Sequence, residues 1–149
     1  MRAVVQRVTE ADVTVQGSST GSIQNGLVVL LGVEDGDTKK DAEYIADKVS
    51  GLRIFDDSEG VMNLSVSDIG GGILSISQFT LLADARKGKR PSYSKAARPE
   101  AAKELYDYFN TKIEEKGITA GKGIFQAEML VKIYNDGPVT ILLDSKKTF

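Results

Sequence analysis

Apolar and polar positions along this chain alternate in two rhythms, one that predicts strands and one that predicts helices. Arg2 to Val8 reads as a strand, and Asp12 to Gln16 as a second. Gly17-Ser18-Ser19 predicts a turn, followed by a short return through Gly21 and Ile23. Asn25-Gly26 is a hairpin signal, because asparagine and glycine tolerate the positive φ angles of a tight two-residue turn. Leu27 to Val33 is then a continuous apolar run between turn residues, which suits a strand covered on both faces.

The rhythm changes at Thr38, a residue able to cap a helix. Ala42, Ile45, Ala46, Val49 and Leu52 follow at helical spacing, so Lys39 to about Gly51 is an amphipathic helix. Leu52 to Phe55 leaves it, Asp56 to Gly60 is a polar loop, and Gly70-Gly71-Gly72 precedes a strand over Ile73 to Ile76. Pro99 suits the first turn of a second helix, with Ala102, Leu105, Phe109 and Ile113 as its buried stripe and Gly117 as its end. Ile124-Phe125, Met129 to Tyr134 and Val139 to Leu143 read as the closing strands. Strands with two separated helices indicate an α+β fold, a mainly antiparallel, barrel-like sheet with two amphipathic helices in one domain over residues 1–149.

Composition narrows the chemistry. The chain has no histidine and no cysteine. A Ser-His-Asp triad, a Cys-His dyad, a disulfide framework and a histidine-based zinc site are all excluded within it. Catalysis has to use hydroxyls, carboxylates, lysines, backbone dipoles or a group carried by the substrate. No apolar run approaches the ~20 residues that span a bilayer, and Met1-Arg2-Ala3-Val4-Val5 opens as a strand rather than as a signal peptide. A soluble cytoplasmic protein that does not engage a membrane is expected. With a net charge of −2, the whole surface does not attract nucleic acid, so a polyanion partner needs a local basic patch.

Four segments carry candidate chemistry. Asn135-Asp136-Gly137-Pro138-Val139-Thr140 places a Gly-Pro pair between two strand-like runs. Proline has no N–H for a ladder, so here the backbone turns and its carbonyls can be presented rather than paired. Ser77-Gln78-Phe79-Thr80-Leu81 gathers two hydroxyls and an amide where a strand leaves the core, and nearby backbone N–H groups can stabilise an oxyanion. Simple strand alternation would equally explain those polar residues. Thr80 is a weak nucleophile without a base beside it, so a positioning role ranks above direct attack. Arg86-Lys87-Gly88-Lys89-Arg90 puts four positive charges in five residues ahead of Tyr93, which suits contact with phosphates; a solvated loop is the plain alternative. Asp56, Asp57 and Glu59 lack calcium-loop spacing, so neither a metal nor an organic cofactor is expected.

Taken together these motifs resemble the bacterial D-aminoacyl-tRNA deacylases, also called D-tyrosyl-tRNA deacylases, over essentially the whole chain. The likeness rests on Val4-Val5-Gln6-Arg7-Val8, Leu52-Arg53-Ile54-Phe55, Met62-Asn63-Leu64-Ser65, Ser77 to Leu81, Arg86-Lys87-Gly88 with Arg90-Pro91-Ser92, and Asn135 to Thr140. The resemblance implies hydrolysis of the ester between a D-amino acid and the terminal ribose of tRNA, and release of glycine from mischarged tRNA-Ala. It also implies a homodimer with active sites at the subunit interface, in which a cis Gly137-Pro138 enters the partner's pocket as the chiral filter. On that likeness Gly137 and Pro138 offer carbonyls to the substrate ammonium and Arg7 braces the pair. Ser77, Gln78, Phe79 and Thr80 line the pocket, and Phe125 and Met129 form its apolar side. The basic residues Arg86, Lys87, Lys89 and Arg90 would touch tRNA. Gln126 stands where such proteins often carry a small residue. The terminal 2′-hydroxyl of tRNA and Thr80 both remain candidates for the reactive group. A non-catalytic RNA-binding module and a purely structural β-rich dimer are the readings from other classes.

Overall fold

The computed structural model describes residues 1–149. Strand β1 (Arg2–Val15) runs through both of its predicted segments, and the polar pair Thr9 and Glu10 between them is exposed yet stays in the strand. Glu10 still pairs with Tyr134 along one edge of β1, and that pairing outweighs the local polarity. Gln16 and Gly17, at φ of 50° and 81°, reverse the chain into β2 (Ser18–Ile23), and β3 (Gly26–Gly32) follows on the same edge of β1. Ala11 faces Ile23 and Val8 faces Gly26 at one unbroken offset. Asn25-Gly26 is therefore a break inside one long return strand, not a hairpin turn. Crowding explains the glycine: a Cβ there would lie 1.9 Å from the Gly72 carbonyl oxygen, and the Gly72 N–H donates to the Asn25 carbonyl at 3.1 Å.

Helix α1 (Lys39–Gly51) begins as expected, with the Asp41 carboxylate accepting the Thr38 N–H at 2.8 Å. A small hairpin of β4 (Phe55–Asp56) and β5 (Met62–Leu64) follows, its polar turn closed by N–H groups of Glu59 and Val61 on the Asp57 carboxylate. Strand β6 (Gly72–Ser77) then pairs in parallel with β3. Helix α2 (Pro99–Glu115) packs against α1 and leads into β7 (Thr119–Lys122), which joins β6 in parallel. Antiparallel pairing thus holds around β1 and parallel pairing beyond β3. The sheet nearly closes where β2 meets β7: a Cβ on Gly21 would stand 2.8 Å from both backbone N and O of Lys122.

The Ile124-Phe125 strand does not form. Those residues sit in a turn in which the Ala127 N–H donates to the Ile124 carbonyl at 3.1 Å, and the strand of this region, β7, precedes it. Its Thr-Ala-Gly-Lys sequence shows little apolar pattern because the site demands small residues: a Cβ on Gly121 would lie 3.0 Å from the Leu74 side chain.

Strand β8 (Leu130–Asp144) covers the other edge of β1 and runs through the Gly-Pro pair instead of ending at it. The ladder slips there. Gln6 faces Thr140 and Val8 faces Asn135, so Asp136 to Val139 bulge opposite Arg7 alone. Two apolar clusters hold the whole. The larger, including Leu27, Leu31, Ile45, Ile73, Phe109 and Ile113, fills the space between sheet and helices. The smaller, Val8, Ala11, Val13, Ile23, Val28, Leu74 and Ile76, fills the inside of the curled sheet. Each fully buried valine, leucine, isoleucine or phenylalanine among them stabilises by ~1.5–3 kcal/mol.

Candidate active site

A cavity of about 630 Å³ opens where β6 ends. Ser77 and Gln78 leave the strand along one wall, with the Gln78 N–H anchored on the Leu31 carbonyl at 2.8 Å. A single 3-10 turn, Phe79–Leu82, follows. Its hydrogen bonds begin with Leu81 N–H to the Gln78 carbonyl, 3.2 Å, and Ala83 N–H to the Thr80 carbonyl, 3.0 Å. The N–H groups of Phe79 and Thr80 head this turn and have no partner within its ladder. Phe79 is 56% exposed and meets Tyr93 edge to face, ring centroids 5.2 Å apart, as a lip over the opening. Phe125, Gln126 and Met129 form the opposite wall, and Pro99 and Ala102 bring in the first turn of α2.

Thr80 is half-buried and lies beside the cavity rather than in its lining. The Gln78 side-chain amide donates to its Oγ1. That contact occupies a lone pair of the hydroxyl and leaves its proton free to donate outward. On the far side, Arg2 Nη1 donates to the Leu81 carbonyl at 3.2 Å and ties the turn to β1.

Gly137 and Pro138 lie elsewhere. Their peptide bond is cis, and both residues are exposed and absent from the cavity lining. Arg7, only 9% exposed, reaches them from across the slipped ladder. Its Nη1 donates to the buried Ile54 carbonyl at 2.7 Å and its Nε to the Asp136 carbonyl at 3.3 Å. The carboxylates of Asp136 and Asp56 stand 3.4 and 3.7 Å from the same guanidinium. Gly137 has φ of 114°, and a Cβ on it would lie 3.0 Å from Arg7 Nη2, so both backbone and space call for glycine. Arg7 pairs with Leu27 in the sheet and Ser77 with Leu31, which separates the two levels by roughly 13 Å of strand.

The basic loop is a small closed structure. Asp84 and Ser92 exchange backbone hydrogen bonds at 2.8 and 2.9 Å, and Gly88 turns the tip at φ of 74°. The Asp84 carboxylate accepts the Arg86 N–H at 3.0 Å, its Nε at 2.9 Å and its Nη2 at 2.5 Å. These bonds, the side-chain ones first, hold the Asp84 carboxyl well below the usual carboxylate range. Arg86 is thereby matched within the protein, while Lys87, Lys89 and Arg90 are exposed and in no ion pair. The loop leads through Ser92 to Tyr93 at the cavity lip.

A family model described as D-Tyr-tRNA(Tyr) deacylase matches residues 4–144. The chain belongs to this family. The deacylase chain is 60% identical to the D-aminoacyl-tRNA deacylase of Koribacter versatilis and 58% identical to that of Desulforamulus reducens, each over 149 residues and the full length of both proteins. Among solved structures it superposes on the c-Myc DNA Unwinding Element Binding Protein with a TM-score of 0.91 at 41% identity, covering 97% of this chain and 98% of that one. A probable eukaryotic D-amino acid tRNA deacylase, 15% identical, shares the fold alone, at a TM-score of 0.80 over 95% and 97% of the two chains.

In this deacylase-family chain the expected site residues divide into separate groups. Ser77, Gln78, Phe79, Phe125 and Met129 converge on the cavity, with Thr80 directly behind. Arg7, Gly137 and Pro138 converge on each other but not on that cavity. Tyr93, Ala96, Ala97, Pro99 and Ala102 also line it, and the sequence pattern gives no sign of that role. Pro99 and Ala102 are visible in it as a helix start, yet nothing in the spacing tells which side that end faces. Gln126 holds a left-handed φ of 64° and is one of the residues that line the cavity.

Proposed function

We propose that the protein hydrolyses the ester of D-aminoacyl-tRNA in the cytoplasm, releasing the D-amino acid and tRNA, and rejects the L-enantiomer. The observation that carries the reading is the Gly137-Pro138 bulge, which is exposed, clamped by a buried arginine and remote from the cavity of its own chain. A second copy of the chain supplies the missing half. Its bulge fills the open cavity, and the pairs of carbonyls and apolar walls then meet at a subunit interface. Exposed Leu130, Tyr134 and Leu142 along β8 favour such a homodimer, since they would otherwise leave an apolar stripe in water.

Selectivity follows from what substrates share. Every D-amino acid ester offers an ammonium, an α-carbon and a carbonyl, while side chains differ. Carbonyls of Gly137 and Pro138 hold the shared ammonium and let the side chain point away. An L-side chain would have to enter the wall, and each ~1.4 kcal/mol of clash is worth a factor of ten. Glycine carries no side chain for the wall to refuse, so glycyl-tRNA mischarged on tRNA-Ala is a substrate too.

The ester is bound over the 3-10 turn, where the N–H groups of Phe79 and Thr80 stabilise the developing oxyanion. Water adds to the carbonyl, the bond to the ribose 3′-oxygen breaks, and that oxygen takes up a proton. With no histidine in the chain and Thr80 Oγ1 already accepting from Gln78, the neighbouring 2′-hydroxyl of the substrate promotes this addition by proximity. Ser77, Gln78, Phe125 and Met129 shape the pocket, and Lys87, Lys89 and Arg90, with a smaller share from Arg86, hold the tRNA backbone.

Deacylation of D- and L-tyrosyl-tRNA tests the reading. Release from the D-substrate alone is expected. Binding of charged and uncharged tRNA without release would instead make this an RNA-binding module. Substrate ending in 2′-deoxyadenosine should lose most of the rate, and Thr80→Ala should lose less. The reverse order would make Thr80 the nucleophile.

A further inference from the structure

We propose that Tyr106 is a positioning residue that sets the spacing between the two walls of the cavity; this rests on the deacylase reading of that cavity. Tyr106 is 3% exposed and lies one helical turn beyond Ala102, a lining residue, on the same face of α2. Its hydroxyl donates to the Ser75 carbonyl at 2.8 Å. The same carbonyl accepts the Gly123 N–H at 3.1 Å. Ser75 stands two positions before Ser77, where the first wall begins, and Gly123 two before Phe125, where the second begins. One oxygen therefore joins both walls to α2.

The ring of Tyr106 adds a second contact. Its centroid lies 6.1 Å from that of Phe125, with a tilt of 38°. At the same place the chain is packed without slack: a Cβ on Gly123 would lie 2.5 Å from Met129 Sδ and 3.4 Å from Ile76 Cδ1. The floor under the cavity is thus a tyrosine whose hydroxyl holds the base of one wall and whose ring supports the other. Burial pushes the Tyr106 hydroxyl up from its ordinary value, which keeps it a proton donor to Ser75 throughout the neutral range. An ester lying across the Phe79–Thr80 turn needs its carbonyl within hydrogen-bond reach of those N–H groups, and a displacement of about 1 Å is enough to cost on the order of a hundredfold in rate.

Tyr106→Phe removes one hydroxyl and keeps the ring. Tyr108→Phe is the control, because Tyr108 also donates a hydrogen bond, to Glu43 at 2.5 Å, but away from the cavity. Well below both unfolding midpoints, Tyr106→Phe is expected to lower kcat for D-tyrosyl-tRNA about tenfold with KM changed less than about threefold, and Tyr108→Phe to change neither. A folded Tyr106→Phe with wild-type kcat, or an equal loss in Tyr108→Phe, overturns the proposal. Amide hydrogen exchange reads the same geometry without substrate. Faster exchange is expected at the bonded amides of both walls, Gln78 on one and Gly123 and Ala127 on the other, in Tyr106→Phe only, and unchanged exchange at either wall overturns it. Should Tyr106→Phe fail to fold, Phe125→Leu tests the ring contact from the cavity side and must raise exchange at the Gln78 amide of the opposite wall. A wild-type protein inert toward D-tyrosyl-tRNA would refute the deacylase reading, while the exchange experiment would still decide the role of Tyr106.

Discussion

Replacing Arg7 by methionine separates packing from charge at the Gly-Pro bulge. Methionine fills much of the space of the aliphatic stem, so little cavity forms. The guanidinium, however, is lost from the Ile54 carbonyl, which is buried and accepts it at 2.7 Å. An unsatisfied buried acceptor costs ~1–3 kcal/mol. The two carboxylates add little, because Asp56 and Asp136 have side chains 56% and 50% exposed and such pairs contribute ~0–1 kcal/mol. The sum is about 1–5 kcal/mol, or a fall in Tm of roughly 2–20 °C for a chain of this size. Function should suffer differently. With Asp136 released, the bulge can yield to an L-side chain, and relief of about 1.4–2.8 kcal/mol of clash would cut the D/L ratio of kcat/KM by roughly 10–100-fold. Arg7→Lys keeps one donor for Ile54 but cannot fork to Asp136, so it should recover most stability and little discrimination. Thermal unfolding and initial rates on both enantiomers of tyrosyl-tRNA measure the two effects. A destabilised Arg7→Met with an unaltered D/L ratio would show that the bulge keeps its place without the arginine, and the reasoning would fail.

Three further outcomes are expected. Lys87→Ala, Lys89→Ala and Arg90→Ala together should weaken tRNA binding and flatten its salt dependence by ~0.7–0.9 for each phosphate no longer neutralised, whereas Arg86→Ala should do less because Asp84 already holds that charge; a salt slope unmoved by the triple variant would make the loop ordinary surface. Gly26→Ala should destabilise by about 1–3 kcal/mol, since the new methyl meets backbone of Gly72 rather than a side chain that can rotate away; denaturant unfolding with an unchanged midpoint would contradict that crowding. Burial raises the Asp144 carboxyl, but the Thr148 hydroxyl, the Lys146 N–H, the Met1 ammonium and Arg2 outweigh it and hold it below its ordinary value. Its contribution is therefore complete above the unfolded pKa of ~3.9 and lost as pH falls through the lower native value, so Asp144→Asn should flatten the stability curve below about pH 4, and an identical acid limb in the variant would exclude the residue.

Helices are the most legible part of this chain because local rules decide them. Lys39–Gly51 and Pro99–Glu115 follow from a 3.6-residue apolar period with recognisable starts. Strand limits depend on partners instead. Thr9-Glu10 and Gly137-Pro138 look like ends, yet β1 and β8 carry each other through both interruptions. Asn25-Gly26 carries a turn signature, but the glycine answers to Gly72 in a neighbouring strand. The polar residues at the cavity are legible as Ser77 to Thr80. Ala96, Ala97 and Ala102 in its lining are not, because small side chains that make room for a substrate leave no pattern of their own. The distance between Gly137-Pro138 and the cavity is equally beyond spacing, since it depends on how far apart two sheet levels lie.

β1 acts as a ruler. Arg2 grips the Leu81 carbonyl at one mark and Arg7 grips the Asp136 carbonyl at another, roughly 17 Å along the strand at ~3.4 Å per residue. Inserting or deleting one residue between them would alter this interval and swing every later side chain to the opposite face, Arg7 among them. Substitutions at Val4, Val5 or Gln6 can be absorbed by repacking, but a gap cannot. Over this stretch the count of residues is under stricter control than their identity.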